Sequence, residues 1–327
     1  MRSIFWICTC SILICAAHHC SAQSNTHARD DLSFILAGTS ADTTTAITTV
    51  DSIEQQKSSQ SALPAPAWYE MFTRIPGDYG TFFGEVFQTN AIIPIAGIAA
   101  STLALKSVDG RTIRATEVAY NASPFFQTAS TALVIGGGGR DELAIAGAFA
   151  AYGFIANDNR ALRTASETVE SFLADGLFVQ VLKHITGRQS PLVTTSNGGR
   201  WSFFPDQVQY QAHQPNYYSF PSGHIASAMA AVTVVAENYP EAWWIRPVGY
   251  AGTACLAASL AGQQYHWWSD FPLGLALGYM FGMIAAHPAN AHESKDKLPA
   301  SAQQSVKISF SPVLFPDGAG ASFSVVY

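Results

Sequence analysis

The stretch Phe220 to His224, which reads Phe-Pro-Ser-Gly-His, combines residue types that can bind and process an oxyanion. A proline and two small residues lead directly into an apolar run, so the pattern predicts a turn that opens a helix at Ser222 or Gly223. The first turn of a helix has backbone N–H groups without intrahelical acceptors and carries the positive end of the helix dipole, so a phosphate can bind there. The imidazole of His224 could then pass a proton to a leaving oxygen. Taken alone, Pro-Ser-Gly is also ordinary turn and N-cap chemistry.

A second histidine, His266, follows Ser259 by seven residues and precedes Asp270 by four. If this segment is helical, the three side chains share one face. A carboxylate in that position can hold one imidazole nitrogen and leave the other free to attack a substrate. The alternative is a helix end at the surface with an incidental His–Asp pair.

A long amphipathic helix, predicted from Arg160 to Thr186, is the element that would bring a cation to these groups. It delivers Lys183 in its last turn and is expected to end at Gly187. The segment from Arg188 to Phe220 lacks periodicity and connects this helix to the Pro-Ser-Gly-His turn. Loops of this length inside compact domains are usually functional.

The remaining apolar stretches indicate a helical bundle, because they are rich in Ala, Leu and Gly and lack alternation with period two. They are Ala91–Leu105, Thr131–Ile135, Leu143–Ala156, Phe172–Leu182, Ile225–Ala236, Val248–Ala261 and Phe271–Ala286. The predicted fold class is therefore all-α. Each uncharged run is shorter than the roughly 20 residues that span a bilayer, which favours buried helices in a soluble or peripherally bound domain.

The composition supports a packed or membrane-associated protein and excludes nucleic acid as a partner. Only 12% of the 327 residues are charged and 48% are hydrophobic. The formal net charge of −6 and the absence of a Lys/Arg cluster leave no basic face for a phosphate backbone. The motif Gly136 to Arg140 lacks the Lys-Ser/Thr ending and the preceding strand of a phosphate loop, so it is interpreted as a helix connection.

The N-terminus resembles an export signal, with Arg2, a short apolar run and small residues near Ala22. Four of the five cysteines lie in this segment, so the mature chain would keep only Cys255 and form no internal disulfide. Export without disulfides suits a periplasmic location, and association with a membrane surface stays open.

The C-terminal residues alternate between apolar and polar side chains on both sides of a Pro-Asp-Gly turn, which predicts a two-stranded β-hairpin that caps the bundle. The whole chain then divides into four predicted parts. The parts are a signal peptide (1–22), a disordered linker (23–66), a helical domain (67–292) and a tail with a β-hairpin (293–327).

Together, three blocks resemble the signature of the type 2 phosphatidic acid phosphatase and vanadium haloperoxidase superfamily. That signature is Lys, six residues and Arg-Pro; then Pro-Ser-Gly-His; then Ser-Arg, five residues, His, three residues and Asp. The corresponding blocks here run from Lys183 to Pro191, from Pro221 to His224 and from Ser259 to Asp270. Order and spacing match in all three.

The resemblance implies a helical, metal-independent phosphatase that acts on a lipid phosphate or a small phosphomonoester through a phosphohistidine. It makes His266 the nucleophile, Asp270 the residue that orients it, and His224 the acid that protonates the leaving alcohol. The phosphate-binding residues would be Lys183, Arg188, Ser222 and Gly223. No cofactor or metal is expected. The alternatives are a vanadate-dependent haloperoxidase, with vanadate as the cofactor rather than an inhibitor, and a non-catalytic phosphate- or lipid-binding relative.

Two positions depart from the family pattern, because Ser190 and Leu260 stand where the family has arginine. Each lost guanidinium removes charge-assisted bonds worth about 1.5 to 3 kcal/mol. Arg188 is the nearest residue that could replace one of them, and Arg200 is a weaker candidate. Neutral donors for the other could come from two glutamines, Gln263 and Gln264.

Overall fold

The computed structural model of the chain describes residues 64–136, 139–287, 307–315 and 318–326. The predicted signal peptide and most of the predicted linker lie outside these residues, so both stay predictions. Ten α-helices lie within the described ranges: α1 (Glu70–Thr73), α2 (Ile75–Val86), α3 (Ile92–Asn121), α4 (Pro124–Gly136), α5 (Gly139–Ala156), α6 (Asn159–Thr186), α7 (Gln207–Ala212), α8 (Gly223–Asn238), α9 (Ile245–Gly262) and α10 (Phe271–Ala286).

The predicted all-α class is confirmed, and each predicted apolar stretch falls within one of these helices except for Ala91, which ends the 3₁₀ turn before α3. Two C-terminal segments have strand backbone, β1 (Lys307–Phe315) and β2 (Gly318–Val326). They pair antiparallel, with Lys307 opposite Val326 and Phe315 opposite Gly318. The predicted function of this tail as a cap on the bundle stays a prediction.

Two segments are long and apolar enough to cross a membrane: Thr89–Asn121, which contains α3, and Trp268–Ala286, which contains α10. In the first segment, none of the apolar part is buried by the rest of the protein. In the second segment, half of the apolar part is buried. The expectation that every apolar run is too short is therefore wrong for α3. Its 30 residues extend about 45 Å and continue past Lys106 and Asp109, the charged residues that interrupt the uncharged run.

Helix α6 forms where the sequence predicts it and places Lys183 in its last turn. The Asp158 side chain caps the N-terminus by accepting hydrogen bonds from the N–H groups of Arg160 and Ala161. Gly187 caps the C-terminus with a left-handed φ of 51°, a conformation that glycine adopts without strain. The hydroxyl of Thr186 donates to the carbonyl oxygen of Phe220 at 2.9 Å, which joins the end of α6 to the Pro-Ser-Gly-His turn.

Helix α8 lies at the centre of the bundle and packs on α6, α9 and α10. Glycines on α10 allow a close approach: a Cβ on Gly278 would lie 2.0 Å from the carbonyl oxygen of Ala226, and one on Gly274 would lie 2.7 Å from that of Ser222. This packing fixes the N-terminus of α8. Buried apolar side chains surround the helix, including Ile225 in one cluster and Ala226 in another.

The third motif block is not one continuous helix, which corrects the expectation for Ser259, His266 and Asp270. Helix α9 ends at Gly262, the backbone of Gln264 is left-handed with φ 62°, and a short 3₁₀ turn then leads into α10. The three residues therefore do not share a helical face. The hydroxyl of Ser259 bonds back to the carbonyl oxygen of Cys255 at 2.8 Å, within its own helix.

Candidate active site

The imidazole of His266 is fully buried and held in one orientation. Its Nδ1 lies 2.7 Å from the carbonyl oxygen of Ser219 and 3.4 Å from Oδ2 of Asp270. Because both neighbours accept hydrogen bonds, Nδ1 carries the proton and Nε2 keeps a lone pair. Nε2 has no hydrogen-bond partner within the described residues. Burial lowers the pKa of His266, so the ring is neutral at pH 7 and Nε2 can act as a nucleophile.

Asp270 orients His266 partly through Ser219. Its Oδ2 accepts the Ser219 hydroxyl at 2.6 Å and the backbone N–H of Trp267 at 2.7 Å. Its carbonyl oxygen accepts the backbone N–H of Ser222 at 3.1 Å. Asp270 therefore connects the histidine, the segment before the Pro-Ser-Gly-His turn and the start of α8.

Arg188 lies behind Asp270, away from any phosphate position beside Nε2 of His266. Its side chain is fully buried, and all five guanidinium N–H groups have acceptors. The prediction that Arg188 binds phosphate is therefore wrong, because no donor is left. The acceptors are the carbonyl oxygen of Gly198 (2.8 Å from Nη2 and 3.2 Å from Nε), Oδ2 of Asp109 (2.7 Å from Nη2), Oγ of Ser269 (2.7 Å from Nη1) and Oδ1 of Asp270 (Nη1).

Asp109 and Ser219 are site residues that the sequence did not reveal. Asp109 comes from α3, is fully buried, and also accepts hydrogen bonds from the backbone N–H and the hydroxyl of Ser269. A signal for Asp109 was present, since it is the first carboxylate along a helix that begins with a long apolar run. Ser219 contributes a carbonyl oxygen, which residue type does not reveal. The backbone bridges of Arg188 to Trp201 and Tyr218 bring Ser219 to this position.

The N-terminus of α8 and the end of α6 meet beside the histidines. Ser222 is the N-cap of α8, but its hydroxyl makes no capping bond. A Cβ on Gly223 would lie 3.7 Å from Nζ of Lys183, in ordinary van der Waals contact, so this ammonium group lies beside the helix N-terminus. Burial lowers the pKa of Lys183 to about 8, which leaves the group largely charged at pH 7. Phosphate could therefore contact both the helix dipole and Lys183.

His224 lies in the first turn of α8, with its ring centroid 6.1 Å from that of His266. Burial, with smaller effects of His266 and Lys183, lowers the pKa of His224 to about 3. The ring is therefore neutral at pH 7. A phosphate anion beside it would favour the protonated form, because opposite charges stabilise each other at short distance.

Several buried polar atoms near this point have no hydrogen-bond partner within the described residues. Oγ of Ser222 and Nε2 of His266 are among them. Buried polar groups are usually satisfied, so orphaned groups require an explanation. Ser222 and His266 belong to two neighbouring segments joined by the bond between the Ser222 N–H and the Asp270 carbonyl oxygen. A bound oxyanion would supply the missing partner for the Ser222 hydroxyl and a target for Nε2 of His266.

A cavity of about 450 Å³ leads to this site. Its walls are mostly apolar and come from α6, while Lys183, Gly223 and His224 also line it. No group of three or more His, Cys, Asp or Glu side chains in the described part of the chain is arranged to hold a metal ion. The arrangement can bind an anion, attack it with an imidazole and transfer a proton.

Two further residues considered for phosphate binding, Arg200 and Gln264, do not line the cavity that Lys183 lines. Arg200 is exposed, and its carbonyl oxygen accepts the N–H of Gln189 at 2.8 Å. Gln264 uses its carbonyl oxygen to accept the N–H of Leu192 at 3.0 Å, and it lines a different cavity from that of Lys183.

The family comparison covers the elements that form this site. Residues 165–292 match the PAP2 superfamily. The comparison therefore supports the resemblance to this superfamily over this part of the chain. The matched PAP2 segment contains all seven predicted site residues, from Lys183 to Asp270, whereas Asp109 lies before it.

Comparison with solved structures finds a transmembrane PAP2-type phosphatidylglycerolphosphate phosphatase from Bacillus subtilis. The two proteins share 16% sequence identity with a TM-score of 0.42, and the match covers 68% of this chain and 98% of the other. A search of curated proteins finds no match.

The two departures from the PAP2 signature have different structural settings. Leu260 is completely buried and packs in the apolar cluster with Ile225 and Trp267, so it contributes no polar group. Ser190 is also completely buried, and its backbone N–H donates to the carbonyl oxygen of Pro215 at 2.9 Å. The candidate site therefore has neutral residues at both positions.

Proposed function

We propose that this chain is a phosphatase that hydrolyses a lipid phosphate or a small phosphomonoester through a phosphohistidine on His266. The observation that carries the proposal is the buried, neutral imidazole of His266, whose Nδ1 is fixed by Ser219 and whose Nε2 has no partner among the described residues. Lys183 and the N-terminus of α8 lie beside it and provide the positive potential that a phosphate requires.

In the first step, the lone pair of Nε2 on His266 attacks phosphorus. The bond from phosphorus to the leaving oxygen breaks, and that oxygen takes a proton from His224, which the bound anion has helped to charge. Lys183, the Ser222 hydroxyl and backbone N–H groups at Gly223 hold the equatorial oxygens. Positioning and electrostatic stabilisation supply most of the rate acceleration in phosphoryl transfer.

In the second step, water attacks the phosphohistidine. His224 accepts the proton from water, and the P–N bond breaks with its electron pair returning to Nε2 of His266. Asp270 and Ser219 keep the imidazole in the same orientation during both steps. Inorganic phosphate leaves, and both histidines return to their starting protonation states.

An amphiphilic substrate fits the surroundings of the site better than a small soluble one. The cavity beside Lys183 has apolar walls that include Phe172, Leu173 and Leu177. Helix α3 exposes large apolar side chains, and Ile93 has 81% of its surface exposed. We therefore place the protein at a membrane, with α3 in contact with lipid. The signal predicted in residues 1–22 would direct the site to the periplasm or another exported compartment.

The test is phosphate release from a phosphatidate, a lysophosphatidate and 4-nitrophenyl phosphate, with and without EDTA. We expect release from at least one of them that EDTA does not change. His266→Ala should reduce turnover about a thousandfold or more, because no other group can replace the nucleophile. His213→Ala is the matched control, since that histidine is exposed on the loop.

Three results would contradict the proposal. Full activity of His266→Ala would exclude this histidine as the nucleophile. Vanadate binding without phosphate release from any substrate would indicate a non-catalytic relative. Halide oxidation with vanadate and peroxide, in place of phosphate release, would indicate the haloperoxidase alternative, because vanadate would meet the same residues as phosphate.

A further inference from the structure

The charges around the candidate site cancel. Lys183 and Arg188 contribute two positive charges, and Asp109 and Asp270 contribute two negative charges through their ion pairs with Arg188. His224 and His266 are neutral before phosphate binds. A phosphate group therefore enters a buried site whose formal charge is zero.

Only one of the two cations can meet the phosphate. Arg188 donates all its N–H groups to Asp109, Asp270, Ser269 and Gly198. Among the described residues, Lys183 is then the cation that lines the cavity, and no carboxylate pairs with it. His224 contacts the leaving ester oxygen, and the remaining contacts to the other phosphate oxygens come from neutral donors.

A phosphomonoester carries close to two negative charges at neutral pH, because its second pKa is about 6. Burying a charge without a partner is costly, so one ammonium group and neutral donors suit one negative charge better than two. Ser190 and Leu260, which replace arginine in the family signature, supply no second cation.

We propose that this site selects a phosphate group with a single negative charge, either a phosphodiester or a phosphomonoester that retains one proton. The inference rests on the proposed function, because it concerns the substrate of the same site. A membrane phospholipid with a head group is one source of such a phosphodiester.

With a phosphodiester, the reaction remains balanced. Nε2 of His266 forms a bond to phosphorus, the bond to one ester oxygen breaks, and that oxygen takes a proton from charged His224. Water then attacks phosphorus, gives a proton to His224 and returns the electron pair of the P–N bond to His266. The products are an alcohol and a phosphomonoester. At neutral pH the monoester becomes a dianion, which the site binds less well, so product release is favoured.

The experiment compares two substrates that differ by one methyl group and share a leaving group: 4-nitrophenyl phosphate and methyl 4-nitrophenyl phosphate. At pH 7.5 the first is a dianion and the second a monoanion. We expect KM for the monoester to fall about tenfold between pH 7.5 and 5.5, as the monoester gains a proton, and KM for the diester to change less than twofold.

The titratable groups that face the phosphate should not themselves produce this difference. In the protein without phosphate the pKa of Lys183 is about 8, that of His224 about 3 and that of Tyr218 about 12, so none of these three titrates near pH 6. A bound phosphate favours protonated His224 with either substrate. Burial lowers the pKa of His266 as well. Any change in these groups, or in the Arg188–Asp270 pair, would also affect both substrates, whereas protonation of the monoester affects only one.

A second arm restores a cation at the position where the family has one. Ser190→Arg should raise kcat/KM for the dianionic monoester about tenfold to a hundredfold relative to the diester, which is the value of one charge-assisted bond. Ser190→Met is the control for the added bulk, and circular dichroism reports whether both variants fold. The pH series on the unaltered protein tests the inference even if neither variant folds.

A monoester KM that stays constant from pH 7.5 to 5.5, or that is lower than the diester KM at pH 7.5, would overturn the inference. If neither compound is hydrolysed, the proposed function is wrong. The charge preference of the site can then still be tested by measuring how tightly it binds a monoester and a diester. Calorimetry with phenyl phosphate and methyl phenyl phosphate at pH 7.5 then gives the answer. Tighter binding of the diester supports the inference, and tighter binding of the monoester contradicts it.

Discussion

Asp109→Ala tests whether α3 holds the catalytic carboxylate through Arg188. Asp109 is fully buried, and its Oδ2 accepts from Nη2 of Arg188 at 2.7 Å. Its Oδ1 also accepts from the backbone N–H of Ser269 at 3.2 Å. Removing the carboxylate leaves a buried guanidinium with one anionic partner, Asp270, in place of two. Breaking a buried pair in this way costs about 3 to 5 kcal/mol.

For a domain of this size, that loss lowers the melting temperature by about 6 to 20 °C. Asp109→Asn should cost less, about 1.5 to 3 kcal/mol, because the amide oxygen can still accept one hydrogen bond. Since Arg188 orients Asp270, which contacts His266 and Ser219, both variants should lower kcat more than they raise KM.

The assay combines thermal unfolding in a mild detergent with steady-state hydrolysis of 4-nitrophenyl phosphate. Glu117→Gln is the matched control, because it removes a carboxylate from the same helix at a position that is only partly buried. It should change stability by less than about 0.5 kcal/mol. A melting temperature for Asp109→Ala within 2 °C of the control would refute the reasoning, because it would mean that the buried pair contributes nothing.

Three further outcomes follow from the same structure. Phosphate affinity should fall as pH rises through about 8, because burial lowers the pKa of Lys183 to about that value and the ammonium form is the one that binds phosphate. In Lys183→Met, this loss of affinity above about pH 8 should be absent. Gly187→Ala should destabilise the protein by about 1 to 3 kcal/mol, because φ is 51° and the new Cβ would lie 2.2 Å from the carbonyl oxygen of Ser202. The control Gly252→Ala, which has open space around the new Cβ, should be neutral or stabilising. Equal melting temperatures of the two variants would contradict this prediction. The protein should leave isolated membranes only with detergent, and release by salt alone would argue against insertion of α3.

The helices and the motif residues could be predicted from the sequence, because both depend on short-range patterns. The end of α6 at Gly187 and the start of α8 at Gly223 follow from local glycine and N-cap preferences. The adjacency of His224 and His266 follows from the resemblance of the three motif blocks, since no local rule brings two distant segments together.

The function of Arg188 could not be predicted, because it depends on contacts between distant segments. Its acceptor Asp109 lies 79 residues earlier in the chain, and Asp270 lies 82 residues later. The charge of Arg188 and its spacing from Lys183 predict that it lies near the site. They do not reveal whether it binds a substrate phosphate or a carboxylate of the protein. The break after Gly262 was missed for a similar reason, since the turn there is stabilised by the N–H of Leu192 bonding to the carbonyl oxygen of Gln264.

The length of α3 was misjudged because the search used uninterrupted apolar residues. Lys106 and Asp109 end the uncharged run, yet the helix continues to Asn121. Asp109 is buried against Arg188, so one of the two interrupting charges is satisfied inside the protein. A buried, paired charge does not limit where an apolar helix can lie.

The most direct test of the central claim is to trap the phosphorylated protein. A rapid alkaline quench during turnover, followed by proteolysis and mass spectrometry, locates the phosphoryl group, because phosphohistidine survives alkali. With 4-nitrophenyl phosphate, whose leaving oxygen needs little protonation in the first step, His224→Ala should increase the trapped amount, since water would lose its base in the second step. The account predicts a single phosphoryl group on the peptide that contains His266 and none in His266→Ala. A phosphoryl group on another residue, or continued turnover with none trapped on His266, would contradict it.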